Sequence, residues 1–416
     1  MENFNHIFES VKKASKIIAN LSEAQRNDVL LALASEIDRN HEYLIEANEF
    51  DLHKLDPQNP LYDRLKLTSQ RLDDIAASLR AISKLKSPLG EIMEQRTLPN
   101  GIELKKVRVP FGVIGIVYEA RPNVTFDVFA LCFKTGNAAV LKGGHDAENS
   151  NKAIISIIHK TLKDFGIPVN CCVLLPSTHE STTALLNAVG KIDLCIPRGG
   201  KNLINYVREN AKVPVIETGA GVVHTYFDKA GDLEIGKKVI QNGKTRRVSV
   251  CNALDSLLIH SERLQDLPDL VKPLENKKVE LFADERAFEK LMGNYPDFLL
   301  KKARKEDCDR EWMDHKMGIY TVNSLQDAIL HIDRHGSGHS ESIITEDEKS
   351  AEVFCREVDA ACVYVNLPTS FSDGGEFGLG AEIGISTQKL GPRGPMGLAE
   401  ITTYRYVLSG HGQIRQ

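Results

Sequence analysis

Apolar residues recur every three or four positions from residue 7 to about 50, and that spacing predicts amphipathic helices. Ser22-Glu23-Ala24-Gln25 fits a capping box at the head of one of them, and VLLALASEI supplies its buried stripe. A further helix is expected from about 69 to 85, opened by Thr68 or Ser69 and stopped before Pro88. These helices carry no catalytic pattern and read as packing and dimer-facing elements. Between 98 and 112 the Asn100-Gly101 dipeptide, flanked by strand-like residues, predicts a hairpin.

The rhythm then changes. GVIGIVY (112–118), AAVLK (138–142), CCVLLP (171–176), IDLCIP (192–197) and VPVIET (213–218) are short apolar runs. Helical stretches separate them: one reaching Lys134, then 147–165, 179–189 and 201–210. Strands alternating with helices in this way predict a parallel, doubly wound α/β sheet. Such sheets bind ligands at the carboxyl ends of their strands, which points to a nucleotide site. After 220 the pattern restarts as a second αβ segment, 232–384, with strands in DSLLIH, VELFA, GIYTV, ESIIT and CVYVN. GLAEITTYRYVLSG (397–410) reads as a strand with no helix after it. This strand and the early hairpin are both left out of the sheet rhythm. Their pairing into a small projecting sheet that joins another subunit is the expectation.

Composition narrows the class. The chain has 416 residues, 42% hydrophobic and 26% charged, with a net charge of −5, which suits a soluble globular protein of two or three domains. That balance, with an isoelectric point near 6.3, gives no footprint for nucleic acid or an anionic membrane. The start has no signal-like apolar core and no run of about 18 apolar residues occurs, so a cytoplasmic location is expected. Eight cysteines, at 132, 171, 172, 195, 251, 308, 355 and 362, include no C-x-x-C and no neighbouring histidine pair at zinc spacing. Neither a disulfide framework nor a metal site is expected.

Chemistry is then sought at the strand ends. One strand ends in Lys142-Gly143-Gly144 and another in Pro197-Arg198-Gly199-Gly200-Lys201. Glycines let a phosphate approach the backbone, and a following helix N-terminus offers free N–H groups. Neither stretch is a P-loop or a complete G-x-G-x-x-G, and tight strand-to-helix turns explain the same glycines. No acid follows Lys142 before Asp146, so a 2′-phosphate meets a cation there, and NADPH is expected over NADH.

One thiol stands apart. Cys251, in VSVCNALDSL, follows the basic stretch Lys244-Thr245-Arg246-Arg247, which reads either as thiolate-stabilising charge or as a solvated turn. A buried core cysteine is the competing reading of Cys251 itself. The Asn252 backbone N–H lies close enough in sequence to help hold an oxyanion. Upstream, Glu217 ends a strand before glycines that permit close approach to a planar ring, or simply caps a helix.

Seven stretches give these pieces a context: 111-FGVIGIVYEARPNVTFD-127, 194-LCIPRGGKNLI-204, 213-VPVIETGAG-221, 250-VCNALDSLLIH-260, 335-HGSGHSESIITED-347, 374-GGEFGLGAEIGISTQKL-390 and 394-GPMGLAEITTYRYV-407. In order and spacing, over essentially the whole chain, they resemble the γ-glutamyl phosphate reductases, or glutamate-5-semialdehyde dehydrogenases, of the aldehyde dehydrogenase superfamily. The separation of 34 between Glu217 and Cys251 (251 − 217) is similar to the acid-to-nucleophile separation of that superfamily. The resemblance implies three domains: a cofactor domain (1–97 and 113–225), a catalytic domain (226–386) and an oligomerisation flap (98–112 and 387–416). It also implies NADPH-dependent reduction of L-glutamyl 5-phosphate to the semialdehyde through a cysteine thioester, the second step of proline synthesis from glutamate.

The site residues implied are Cys251 as nucleophile, Asn123 as oxyanion donor with Glu119 as its alternative, and Glu217 in the place of the water-activating acid of oxidising relatives. Lys142, Gly143, Gly144, Pro197, Arg198, Gly199, Gly200, Lys201, Gly219 and Glu376 are assigned to the cofactor. Arg121, Asn252, His339, Ser340 and Thr369 are assigned to the substrate, although a lone His339 in a polar loop also reads as a surface histidine. Two positions depart from the family's pattern: Gly243 in Asn242-Gly243-Lys244-Thr245, where alanine is typical, and Ser370, where many relatives carry arginine.

Because the match uses nearly all of the chain, a glutamate 5-kinase must be a separate partner, and a homo-oligomer, dimer or tetramer, is implied. The competing readings are an oxidising aldehyde dehydrogenase for another short semialdehyde and a non-catalytic partner of the kinase.

Overall fold

The computed structural model describes residues 2–56 and 61–415. The chain is α/β and folds as two compact units. The first comprises Met1–Thr218, Gly378–Gly384 and Met396–Gln416, and the second Gly219–Phe377 and Ile385–Pro395.

In the first unit the early helices form where the periodicity places them: Glu2–Ile18, Glu23–Arg39, His41–Leu52 and Ser69–Lys84. The capping box at Ser22 closes in both directions. The Gln25 N–H donates to Ser22 Oγ (3.2 Å), and the Ser22 N–H donates to Gln25 Oε1 (2.8 Å). Behind it Val29, Leu30, Leu33, Ala34 and Ile37 are fully buried along one face, each larger side chain contributing on the order of 1.5–3 kcal/mol. Four parallel strands follow in the spatial order Cys172–Leu174, Ala138–Lys142, Val113–Tyr118, Leu194–Arg198. Every residue of Val113–Tyr118 is buried, as a strand covered on both faces requires.

The fifth expected strand, 213–218, is reduced to one parallel bridge, Cys195 to Val215. Cys195 N–H donates to the Pro214 carbonyl (2.8 Å) and Ile216 N–H donates back to Cys195 (3.0 Å). Pro214 itself has no N–H to extend the ladder.

The two β pieces outside the sheet rhythm do pair. Ile92–Thr97, Glu103–Pro110 and Thr402–Ser409 form a three-stranded antiparallel sheet, in register from Thr402 opposite Pro110 to Ser409 opposite Glu103. Asn100-Gly101 makes the turn, with Gly101 at φ +80°. Ile92, Met93, Tyr404, Tyr406, Val407 and Leu408 on this sheet are all exposed.

The second unit is built on seven parallel strands in the order Leu300–Lys302, Glu280–Ala283, Lys316–Val322, Ser256–His260, His224–Phe227, Ser340–Ile344, Cys362–Val365. The first and fifth of these were not expected. His224–Phe227 is four residues long and begins with His and Thr, so neither length nor hydrophobicity announced it. It nevertheless lies inside the sheet, with Tyr226 and Phe227 entering cores on opposite faces. The expected boundary between cofactor and catalytic domains, 225/226, falls within this strand. Among the described residues, no helix is long and apolar enough to cross a membrane.

Candidate active site

Cys251 lies in the turn between the helix Leu233–Thr245 and the strand Ser256–His260. It is half-buried, while Cys132, Cys171, Cys172, Cys195 and Cys362 are buried. Burial pushes the thiols of Cys132, Cys171 and Cys195 up to about 12, which keeps them protonated. Cys251 instead faces an imidazole: His339 Nε2 lies 3.2 Å from its sulfur.

His339 is not the surface residue that a polar loop suggested. It is fully buried, and its Nδ1 lies 2.7 Å from Ser340 Oγ. Ser340 continues to Ser372, which also meets the Tyr364 hydroxyl (2.8 Å). With Nδ1–H donating to Ser340, Nε2 is left as an acceptor for the thiol proton. The chain thus lines up a thiol, an imidazole and a hydroxyl relay, an arrangement that can activate a thiol. Ser340, assigned to the substrate from sequence, is fully buried within this relay.

The basic stretch before Cys251 divides. Arg246 and Arg247 are exposed. Lys244 is fully buried and donates to the Leu254 carbonyl (3.0 Å), and burial holds its ammonium down to about 8. Asn252 and Thr369 shape the turn from within. The Asn252 amide donates to the Ser370 and Ser372 carbonyls (3.3 and 3.0 Å), and Thr369 Oγ1 donates to the Asn252 carbonyl (2.9 Å). Ser370 bonds Asn242 Oδ1 (2.7 Å), a neutral contact where relatives place a guanidinium. At Gly243 an added methyl group would meet only ordinary contacts, 3.5 Å to Leu254 and 3.9 Å to Pro368, so the family's alanine fits this helix.

Gly221 packs against the turn that holds Cys251. A Cβ there would sit 1.7 Å from the Cys251 carbonyl oxygen, so the two backbones are in direct contact. Gly221→Ala must displace the nucleophile's turn. A misplacement of this size is expected to lower kcat by about 10²-fold, checked by steady-state kinetics alongside a melting curve. Gly219 likewise packs on Thr387, and Glu376 is exposed in a turn beside Asp373.

The first unit carries the strand-end residues. Glu119 occupies the turn expected to cradle a phosphate: the Gly200 N–H donates to Glu119 Oε2 (2.9 Å), and that oxygen would lie 2.5 Å from a Cβ at Gly199. The head of the helix Lys201–Asn210 is thus satisfied by the chain's own carboxylate. The Lys201 side chain lies outside the described residues. Arg198 faces Asp127, and the Pro197 carbonyl accepts from Thr218 Oγ1 (2.6 Å).

Asn123 opens the helix Asn123–Lys134 and donates an amide hydrogen to Asp127 (3.1 Å). Burial raises the Asp127 carboxyl to about 6. Just before it, Ala120 has φ +36°, an uncommon conformation for a non-glycine residue, in the loop that also contains half-buried Arg121. Glu217 pairs with Arg208 at 3.3 Å.

A cavity of about 340 Å³ opens beyond the strand ends. It is lined by Gly143, Gly144, Glu148, Asn151, Lys152, Ile155, Leu174, Leu175, Pro176 and Ser177. An apolar floor with charged groups at the rim suits an adenosine moiety. The glycines were anticipated. Glu148, Lys152 and Leu174–Ser177 were not, although the rule that ligands sit at strand ends applies equally to the strand Cys172–Leu174. Glu148 is bound to Lys152 (2.7 Å) and His145 (3.2 Å), and these contacts lower its carboxyl.

Similarity to known proteins accords with this arrangement. The profile of the Aldehyde dehydrogenase family matches residues 1–283. The chain is 57% identical to a gamma-glutamyl phosphate reductase of Pelodictyon phaeoclathratiforme, over 98% of this chain and 97% of that one. It is 55% identical to the protein of that name from Bacteroides thetaiotaomicron, over 99% of each. The crystal structure of gamma-glutamyl phosphate reductase from Thermotoga maritima superposes with a TM-score of 0.94 at 38% identity, covering 99% of this chain and all of that one.

Proposed function

The chain belongs to the aldehyde dehydrogenase family, among the gamma-glutamyl phosphate reductases, and from that premise we propose that its reaction turns on Cys251 and His339. It is an oxidoreductase that carries out the reductive step of proline biosynthesis, with a nicotinamide cofactor. The observation that carries the mechanism is the 3.2 Å contact between the sulfur and His339 Nε2.

His339 Nε2 takes the thiol proton while its Nδ1–H stays on Ser340. The thiolate attacks the acyl carbon of L-glutamyl 5-phosphate. The carbon–sulfur bond forms, the bond to the phosphate oxygen breaks, and inorganic phosphate leaves with a proton taken from solvent. Sulfur suits the position because a thioester accepts hydride more readily than an oxygen ester. The bound dinucleotide supplies that hydride. The thiohemiacetal then releases the semialdehyde as the carbon–sulfur bond breaks, and the imidazolium returns a proton to the sulfur. N–H donors around the turn are assigned to the oxyanion, each on the order of 10²- to 10³-fold in rate.

The cavity beside Gly143 and Gly144 fits the adenosine half of the dinucleotide. Lys142 is the cation for a 2′-phosphate and supports NADPH, while Glu148 and Lys152 offset one another as an ion pair (2.7 Å). The exposed apolar side chains of the three-stranded sheet support a homo-oligomer. A cytoplasmic location and a separate glutamate 5-kinase complete the reading.

Running the reaction backwards tests it. NADP⁺ reduction with the cyclised semialdehyde is expected to require inorganic phosphate and to saturate with it. A rate indifferent to phosphate would instead indicate an oxidising aldehyde dehydrogenase.

A further inference from the structure

Cys308, His331 and His335 meet in the second unit, their sulfur and ring nitrogens all within 4.8 Å of one another. None of the three contacts Cys251 in the arrangement described above. His331 and His335 stand one turn apart on the helix Leu325–His335, with ring centroids 4.6 Å apart. Cys308 comes from the 3₁₀ turn Lys305–Asp309. The expectation of no metal site rested on histidines adjacent to cysteines in sequence, whereas this thiol lies 23 residues before His331 (331 − 308).

Several features of the cluster point to a ligand. His331 Nε2 is shielded from solvent and meets no hydrogen-bond partner among the described residues. His224, fully buried, has an Nε2 in the same condition, and its ring stands edge-on to His331 at 5.5 Å. Asp309 Oδ1 lies 2.7 Å from His335 Nδ1. That is the carboxylate–histidine pairing that orients a ligating imidazole and leaves Nε2 for the ion. Two imidazoles with one thiolate suit zinc among the common divalent ions.

We propose that Cys308, His331 and His335 form a zinc-class metal site, with solvent at the fourth position. Bonds of about 2.0–2.3 Å place tetrahedral ligand atoms roughly 3.5 Å apart, so the side chains close by about 1 Å on binding. The sulfur–metal bond forms as the thiol proton leaves to solvent. Burial raises the Cys308 thiol, so the ion itself must displace that proton. The bound ion ties the 3₁₀ turn to the end of the helix that leads, through Gly336–Gly338, to His339.

The test uses the full-length chain carrying Cys251→Ser, which removes the other thiol–imidazole pair, stripped with chelator and titrated with Co²⁺. One equivalent is expected to give tetrahedral visible bands and a near-ultraviolet thiolate-to-cobalt band, both erased by Zn²⁺. Adding Cys308→Ser should abolish the near-ultraviolet band. Adding Asp309→Asn should weaken affinity about 10- to 100-fold. Circular dichroism of each metal-free variant checks the fold, and half-buried His335→Gln gives the same reading if Cys308→Ser is unstable. A band that is absent in the Cys251→Ser chain, or that survives Cys308→Ser or His335→Gln, overturns the proposal.

Discussion

Cys251→Ala is expected to remove turnover by on the order of 10⁴-fold or more, the scale on which enzymes fail when a nucleophile that works with a partner base is lost. The side chain is small, half-buried and set in a turn, so its loss leaves no large cavity and the melting temperature should hardly move. Activity and stability therefore separate, and a stopped assay beside a thermal melt reads both. Rapid labelling of one thiol, slowed by substrate and absent in the variant, identifies the same atom independently. Cys132, Cys171 and Cys195 offer no substitute, because burial holds their thiols protonated. Retention of near-normal turnover by Cys251→Ala would sink the mechanism.

His339→Gln is expected to cost on the order of 10²- to 10⁴-fold in kcat/KM, the usual contribution of a positioned base. Glutamine fills much of the same volume and can still bond Ser340, but it takes no proton from sulfur. The variant should recover as pH rises toward the range where free cysteine thiols ionise, about 8.5, because hydroxide then does what the imidazole did. A residue that merely packed against the sulfur would lower activity without steepening the pH profile. The profile, more than the size of the loss, distinguishes the two.

Where the sequence was informative, local patterns coincided with tertiary demands. The capping box at Ser22, the Asn100-Gly101 turn and the strand Ala138–Lys142 form as their residues dictate. Other elements were hidden because the deciding partner lies elsewhere in the chain. His224–Phe227 is a strand because sheet neighbours bury it, and its own composition says little. Glu119 fills the Gly199–Gly200 turn from 81 residues away, so glycines alone could not tell a phosphate cradle from a carboxylate cap. His339 pairs with a sulfur 88 residues earlier, a contact that only the parallel sheet creates. The basic stretch before Cys251 left two readings open from sequence, because nothing local shows that Lys244 turns inward while Arg246 and Arg247 face solvent.

The broken outline of the first unit bears on how the molecule is made. Ile383, Met396, Leu398 and Ile401 belong to the same apolar cluster as Val113, Ile116 and Val140, yet leave the ribosome more than 240 residues later (383 − 140). The nascent amino-terminal half must wait with that part of its interior unfilled while the whole of the intervening unit is synthesised and folds. A chain ending at residue 395 would hold its whole second unit but leave the first open to proteases and aggregation.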